Sequence, residues 1–319
     1  MGKPAKQVLV KPPPLHSGDT VGIVAPASNI KRELLKAGCE GLRQLGYKPF
    51  YFDSIFEQDL YFAGSVARRA KELEEMFVRE DVGAIMCARG GYGANHLLRA
   101  LDVKKIAAHP KIFVGYSDIT SLLTYFADCA RLVTFHGPMA TKDFARQDGI
   151  DSNSWTAALS GLSQWCLDLG SDSGVKPLVE GVAEGRLYGG CLSILTASLG
   201  TPYEIQTEGT ILFIEDIAAK PYQIDRMLMH LRLAGKLKGV RGFIFGEMLD
   251  CVQPGRQNYT LQQVIARVLG EYQVPIVYGL KSGHVSGGNI TLPLGVQAEL
   301  IADASGVQLK ILEAATDIR

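Results

Sequence analysis

The sequence predicts an α/β protein built in two parts: an N-terminal doubly wound, mostly parallel sheet domain, then a C-terminal β-rich α+β domain. Three observations carry that expectation. From Thr20 to about Ala130 short β-rich runs alternate with stretches of helical period, the pattern that calls for crossover connections and a parallel sheet. From about Thr141 to Val182 the chain turns polar and rich in Ser, Asp and Gly, which reads as a junction. Beyond it come further β-rich runs whose uneven lengths and spacing do not continue the first pattern. The expected division is an N-terminal domain over residues 1–145, a linker over 146–182 and a C-terminal domain over 183–319.

Taken in order, the first strands are expected at Thr20–Ala25, Tyr47–Phe52, Gly83–Ala88 and Ile112–Gly115. Between them Leu35, Cys39, Leu42 and Leu45 recur on one helical face, as do Val66, Ala70, Leu73 and Phe77, so each set predicts a helix lying on a sheet. The junction holds one short helical stretch around Trp155–Trp165. The later strands are expected at Thr210–Glu215, Gly242–Gly246, Pro275–Gly279, Gln297–Ala302 and Val307–Leu312, with one helix carrying Ile224, Met227, Leu228 and Leu231 on a single face.

A chain of 319 residues has room for about two domains and a substantial core. Thirty-three basic residues balance 33 acidic ones, so no overall basic field gathers nucleic acid. Apolar runs fall short of the ~20 residues that span a bilayer. The six cysteines are scattered, without a Cys-x-x-Cys pair, which favours a reducing compartment. The first residues, Met1-Gly-Lys-Pro-Ala-Lys-Gln, lead into Val8–Val10 and then Lys11-Pro-Pro-Pro14, with no apolar core of a signal peptide. A cytoplasmic protein that touches neither membrane nor nucleic acid is the expectation.

Ligands of open α/β sheets bind beyond the carboxyl ends of the strands. Three loops at such ends stand out: Pro26-Ala-Ser-Asn29, Arg89-Gly-Gly-Tyr-Gly93 and Tyr116-Ser-Asp118. In Gly115-Tyr-Ser-Asp-Ile119 a strand passes into a helix within two or three residues, which makes Ser117 either a nucleophile on a strained elbow or an ordinary N-cap. The glycine turn is either an anion cradle or a plain turn before a helix. A serine nucleophile needs a base. His284 lies in the glycine-punctuated loop Ser282-Gly-His-Val-Ser-Gly-Gly-Asn289, and His136, in Phe135-His-Gly-Pro138, is its rival. Glu215 and Asp216 end the apolar run Ile211–Ile214; on a strand only one of two neighbours aims at a given side, so Glu215 is either the orienting acid or a strand-ending acid in a solvent-facing turn. Motifs for a metal centre are missing from the sequence.

With these residues in hand, the chain resembles the LD-carboxypeptidases, the serine peptidases that include murein tetrapeptide carboxypeptidases and the microcin C immunity peptidases. The matching segments, spread over nearly the whole length, are Gly18-Asp-Thr-Val-Gly-Ile-Val-Ala-Pro-Ala-Ser28, Ala88-Arg-Gly-Gly-Tyr-Gly93, Gly115-Tyr-Ser-Asp118, Phe135-His-Gly-Pro138, Gly189-Gly190 with Leu192, Phe213-Ile-Glu-Asp216, and Gly283-His284 with Gly287-Gly-Asn289. The resemblance implies a Ser117–His284–Glu215 triad at a domain junction. Backbone N–H groups of Gly90, Gly91 and Asp118 would receive the oxyanion. It also implies a homodimer, no metal or organic cofactor, and cleavage of the amide before terminal D-Ala in muropeptides. Arg89, Arg186 and Arg226 are candidates for the substrate's free carboxylate. The alternative within the family is a peptidyl-nucleotide antibiotic as substrate. It ranks second, because Trp155 and Trp165 fall in the junction and the loops around His284 carry no Trp to stack a base. A non-catalytic peptide-binding module is the third reading.

Overall fold

The computed structural model describes residues 9–170, 174–253, 255 and 258–317. The first eight residues, on which the leader reading partly rests, lie outside the described residues.

The N-terminal part runs β1 (Thr20–Val24), α1 (Arg32–Gln44), β2 (Lys48–Phe50), α2 (Val66–Val78), β3 (Val82–Cys87), α3 (Val103–Ala108), β4 (Ile112–Gly115), α4 (Thr120–Asp128) and β5 (Thr134–His136). Helix α1 buries Leu35, Cys39 and Leu42, and α2 buries Ala70, Leu73 and Phe77, the faces read from the sequence. Ser65 caps α2 by accepting from the Arg68 N–H at 3.2 Å. Strands β2, β1, β3, β4 and β5 are parallel neighbours in that order. The order reverses between β1 and β3, which is where such a sheet opens a crevice for ligand. Phe77, Phe113 and Phe126 pack one side of the sheet with ring centroids 4.9–6.1 Å apart.

The chain continues through α5 (Ser152–Leu159), β6 (Trp165–Leu169), β7 (Lys176–Val179), β8 (Gly181–Cys191), α6 (Leu192–Ala197), β9 (Thr210–Glu215), α7 (Pro221–Leu233), β10 (Gly242–Gly246), α8 (Leu261–Leu269), β11 (Ile276–Leu280), β12 (Leu292–Leu294), β13 (Gln297–Asp303) and β14 (Gly306–Ile311). Eight of these strands form a second sheet in the order β6-β14-β13-β8-β9-β10-β11-β7. Its centre, β8 to β11, is parallel, with antiparallel strands to either side.

The stretch 146–182, expected to be a linker, contains α5 and both outermost strands of this sheet, β6 and β7. An outer strand with one face in water alternates in polarity, as Trp165–Leu169 does, and so reads as loop. Helix α8 was not anticipated either, although it buries Leu261, Ile265, Val268 and Leu269.

One strand changes sides. β12 leaves the second sheet and pairs antiparallel with β5 in the first, setting Leu292 opposite His136. The expected boundary at residue 183 therefore does not separate the two sheets, because three residues of the C-terminal stretch complete the N-terminal sheet. Three residues are too short a run to show a period.

The two sheets meet around α4 and β8. Gly190, at φ +144°, lies so close to α4 that a Cβ there would stand 2.7 Å from Thr120 Cγ2, and the Cys191 N–H donates to Thr120 Oγ1 at 3.0 Å. That contact accounts for the second glycine of the motif, and the first, Gly189, leaves room for the Phe213 carbonyl of β9. Among the described residues no helix is long and apolar enough to cross a membrane, and all six cysteines are unpaired.

Candidate active site

Ser117 follows β4 directly and has φ +65°. A left-handed backbone at a residue with a side chain costs about 1–2 kcal/mol, and here it lies in the one-turn bend from which α4 departs. Gly115 permits that bend, since a Cβ there would meet Ile119 Cγ2 at 2.8 Å. Ser117 is not an N-cap: among the described residues its hydroxyl accepts no backbone N–H.

The glycine turn after β3 stands against this elbow. A Cβ on Gly90 would lie 2.8 Å from Ser117 Cβ and 3.2 Å from the Asp118 nitrogen, and one on Gly91, at φ +105°, would collide with the Ser28 side chain. Turn and elbow are tied together by Asp118, which accepts from the Ala94 N–H at 2.8 Å. Burial pushes the Asp118 carboxyl above its usual range, and the Ala94 and Gly93 N–H groups oppose that. Ser28 holds the other side by accepting from the Tyr92 N–H at 3.1 Å.

Arg69, which the sequence reading missed, organises this region from beneath. It is 2% exposed. Its Nη1 donates to Pro26 O at 2.6 Å and Gly93 O at 2.8 Å, and its Nε to Gly64 O at 3.2 Å, so one guanidinium ties together the loops after β1 and β3. Its position next to Ala70 on the apolar side of α2 was the available signal, because an arginine there needs partners.

From the second sheet come the acid and the imidazole. Glu215 ends β9 and is 1% exposed. Its Oε2 lies 2.7 Å from His284 Nδ1 and also accepts the His284 backbone N–H at 3.1 Å. Burial alone would push the Glu215 carboxyl up, but His284 and His136 outweigh it and bring it down to about 2. Asp216 faces elsewhere, accepting from the Ser193 N–H at 2.9 Å at the start of α6. The alternation of a strand separates the two acids in this way.

The loop bearing His284 is clamped at both ends. Asn289 exchanges hydrogen bonds with the Gly283 backbone at 2.9 and 3.2 Å, and Gly283 leaves the space in which the Glu215 carboxylate lies. Tyr116 presses edge-on against the His284 ring, centroids 5.1 Å apart.

Ser117 and His284 line one cavity of about 360 Å³ together with Gly90, Gly91 and Tyr116. Among the described residues neither Ser117 Oγ nor His284 Nε2 has a hydrogen-bond partner; contacts of this kind often close only around substrate. The rival base His136 lies outside this cavity, fully buried behind Glu215.

The same cavity carries three cations, Lys31, Arg89 and Lys142. Among the described residues none of the three is within ion-pair distance of a carboxylate. Lys142 Nζ lies 5.6 Å from the centre of the Tyr116 ring. Of the three expected arginines only Arg89 lies here. Arg186 donates to Gln206 O at 3.2 Å and stacks on Tyr188, while Arg226 stacks on Tyr222 of α7. Arginine count and chemistry do not say which loop reaches the cavity, so sequence reading could not choose among them and passed over the two lysines. Among the described residues no group of three or more His, Cys, Asp or Glu could hold a metal ion.

Fold and cleft together define a two-sheet α/β protein in which a serine elbow from one sheet faces a buried His–Glu pair from the other. Residues 21–137 match the LD-carboxypeptidase N-terminal domain and residues 184–300 the LD-carboxypeptidase C-terminal domain. The chain belongs to the LD-carboxypeptidase family. It is 40% identical over 293 residues to the probable murein peptide carboxypeptidase of Bacillus subtilis (strain 168), covering 91% of each chain. It is 30% identical to the microcin C7 self-immunity protein of Escherichia coli, over 93% of this chain and 94% of the relative. The crystal structure of a muramoyltetrapeptide carboxypeptidase from Oxalobacter formigenes superposes with a TM-score of 0.83 at 29% identity, covering 92% of this chain and 99% of that one.

Proposed function

We propose that the protein is a serine-type carboxypeptidase that hydrolyses the L,D-amide bond before terminal D-Ala in murein tetrapeptides. The observation that carries this reading is the shared cavity, with Ser117 on one wall and His284, held by Glu215, on the other.

In the proposed reaction Ser117 Oγ attacks the carbonyl carbon of the scissile amide and its proton passes to His284 Nε2. Glu215 receives the Nδ1–H and stabilises the imidazolium. The oxyanion forms against backbone N–H groups of the Gly90–Gly91 turn and Asp118. His284 then returns the proton to the departing amine of D-Ala. Water, deprotonated by the same imidazole, releases the acyl group from Ser117. A carboxypeptidase must also hold a free carboxylate beside the scissile bond, and the cations Arg89, Lys142 and Lys31 suit that charge.

The relatives named for murein peptides support the substrate class. One observation favours the second reading, cleavage of a peptidyl-nucleotide antibiotic: Tyr92, 45% exposed beside Gly91, and Tyr61, 54% exposed, form an aromatic surface near the cavity suited to stacking a base.

The test is paired kinetics with a D-Ala-terminated muropeptide and a peptidyl-nucleotide. Release of D-Ala with the larger kcat/KM supports the first reading, and turnover of the nucleotide conjugate alone replaces it with the second. Binding without turnover of either would leave a binding module. The proposed setting is cytoplasmic and the proposed assembly a homodimer; cell fractionation and light scattering check the two, and a secreted or monomeric protein would refute them.

A further inference from the structure

A second imidazole stands behind Glu215, on the side away from the cavity. His136 ends β5 and is fully buried. Its Nδ1 lies 2.9 Å from Ser282 Oγ. Its Nε2 lies 3.8 Å from Glu215 Oε1, the carboxylate oxygen that His284 does not use.

The protons can be placed. The Ser282 hydroxyl donates to Ile290 O at 2.8 Å. A hydroxyl has one proton, so towards His136 it accepts, and Nδ1 carries a hydrogen. Nε2 remains. A bare Nε2 would direct its lone pair at a buried carboxylate oxygen, and among the described residues neither Nε2 nor Oε1 has a hydrogen-bond partner. An Nε2–H instead turns a positive charge towards that oxygen at 3.8 Å, beyond hydrogen-bond length but within ion-pair reach, and replaces a repulsion with an attraction.

We propose that His136 is a positioning residue, held with a proton on both ring nitrogens between Ser282 and Glu215. There it fixes the second carboxylate oxygen and sets a positive charge behind the His284–Glu215 pair. The proposal rests on the reading of Glu215 and His284 as acid and base. Its consequence lies in the pH dependence, because a positive charge on one side of Glu215 opposes protonation of His284 on the other.

The groups around His136 are few. Glu215 and the Phe213 ring face it from β9, Tyr116 from just after β4, and Ser282 from the loop after β11, with His284 across Glu215. Leu292 of β12 pairs beside it. Cys191 and Asp143 act one step further out, the first on Glu215 and the second on Tyr116.

The decisive measurement is 15N NMR of histidine-labelled wild-type protein, with His136 identified as the imidazole displaced in Ser282→Ala. Both ring nitrogens should appear protonated at neutral pH, and an unprotonated Nε2 there would overturn the proposal. This readout needs no turnover, so it stands even if the peptidase reading fails. In kinetics, His136→Gln should lower kcat by about tenfold or more with KM little changed. It should also move the acid limb of kcat/KM upward by about half a pH unit or more, since His284 loses a like-charged neighbour. A folded His136→Gln protein whose acid limb stays in place would refute the charge.

Discussion

A single oxygen of Glu215 receives two hydrogens from His284, one from the ring Nδ1 at 2.7 Å and one from the backbone nitrogen at 3.1 Å. The residues are 69 positions apart in the chain. Two bonds from one residue to one acceptor fix both the plane and the tautomer of the imidazole, leaving Nε2 for the cavity.

Ser117 should show opposite effects on activity and stability. Ser117→Ala should reduce kcat by about 10³-fold or more. Ser117→Gly should be as inactive yet more stable than wild type by about 1 kcal/mol, because glycine relieves φ +65°. Urea unfolding of the two variants checks this; a Gly variant less stable than the Ala variant would contradict the strain.

Gly90→Ala probes the turn against the elbow. The new methyl would arrive 2.8 Å from Ser117 Cβ, so turn and nucleophile must separate and the oxyanion donors lose their aim. The expected loss in kcat is about 10²-fold, with far-UV circular dichroism unchanged. A fully active variant would show that the Gly90–Gly91 turn takes no part in the chemistry.

Recognition of a terminal carboxylate should depend on the cavity's cations. Lys142→Met and Arg89→Met should each raise KM for a D-Ala-terminated peptide by about tenfold, and more when combined. Cleavage of the same peptide as its C-terminal amide should be equally poor in variants and wild type. If the amide is hydrolysed as well as the acid, the proposed anchor is wrong.

Asp128 makes stability depend on pH. It accepts the Tyr188 O–H at 2.5 Å where α4 meets β8. Burial lifts its carboxyl from an ordinary 3.8 to about 6, against the opposing pull of Tyr188, Arg186 and Arg131. The folded state therefore holds this proton more tightly than the unfolded chain, and stability falls as pH rises through that interval. Asp128→Asn keeps an acceptor for Tyr188 and cannot ionise. It should be more stable than wild type at pH 7 by roughly 2 kcal/mol and indistinguishable near pH 4. Equal unfolding midpoints at both pH values would exclude the effect.

Much of the fold was legible because its signals are local. The faces of α1 and α2, the strands β1, β3, β4, β9 and β10, and the step from β4 into Ser117 each announce themselves within a dozen residues, since burial on one side imposes its period on the chain. The outer strands β6 and β7 escaped because they are half solvated, and β8 because it carries glycines at 181, 185, 189 and 190, the last three of which close packing against its neighbours requires.

The sequence by itself determined which side chains were available for chemistry: a serine at a strand-to-helix turn, glycines after β3, an acid closing an apolar strand, and a histidine in a glycine-rich loop. Which of them meet was decided only by the tertiary structure. β12 crosses from one sheet to the other and lays the loop of His284 over Glu215. The same crossing brings Ser282 to His136 and so removes His136 from the cavity, and loop placement admits Lys142 while leaving Arg186 and Arg226 outside. The reason is physical: a period records how a segment meets its nearest layer, whereas a meeting of residues 69 or 146 positions apart depends on how two sheets pack, which no short stretch of chain encodes.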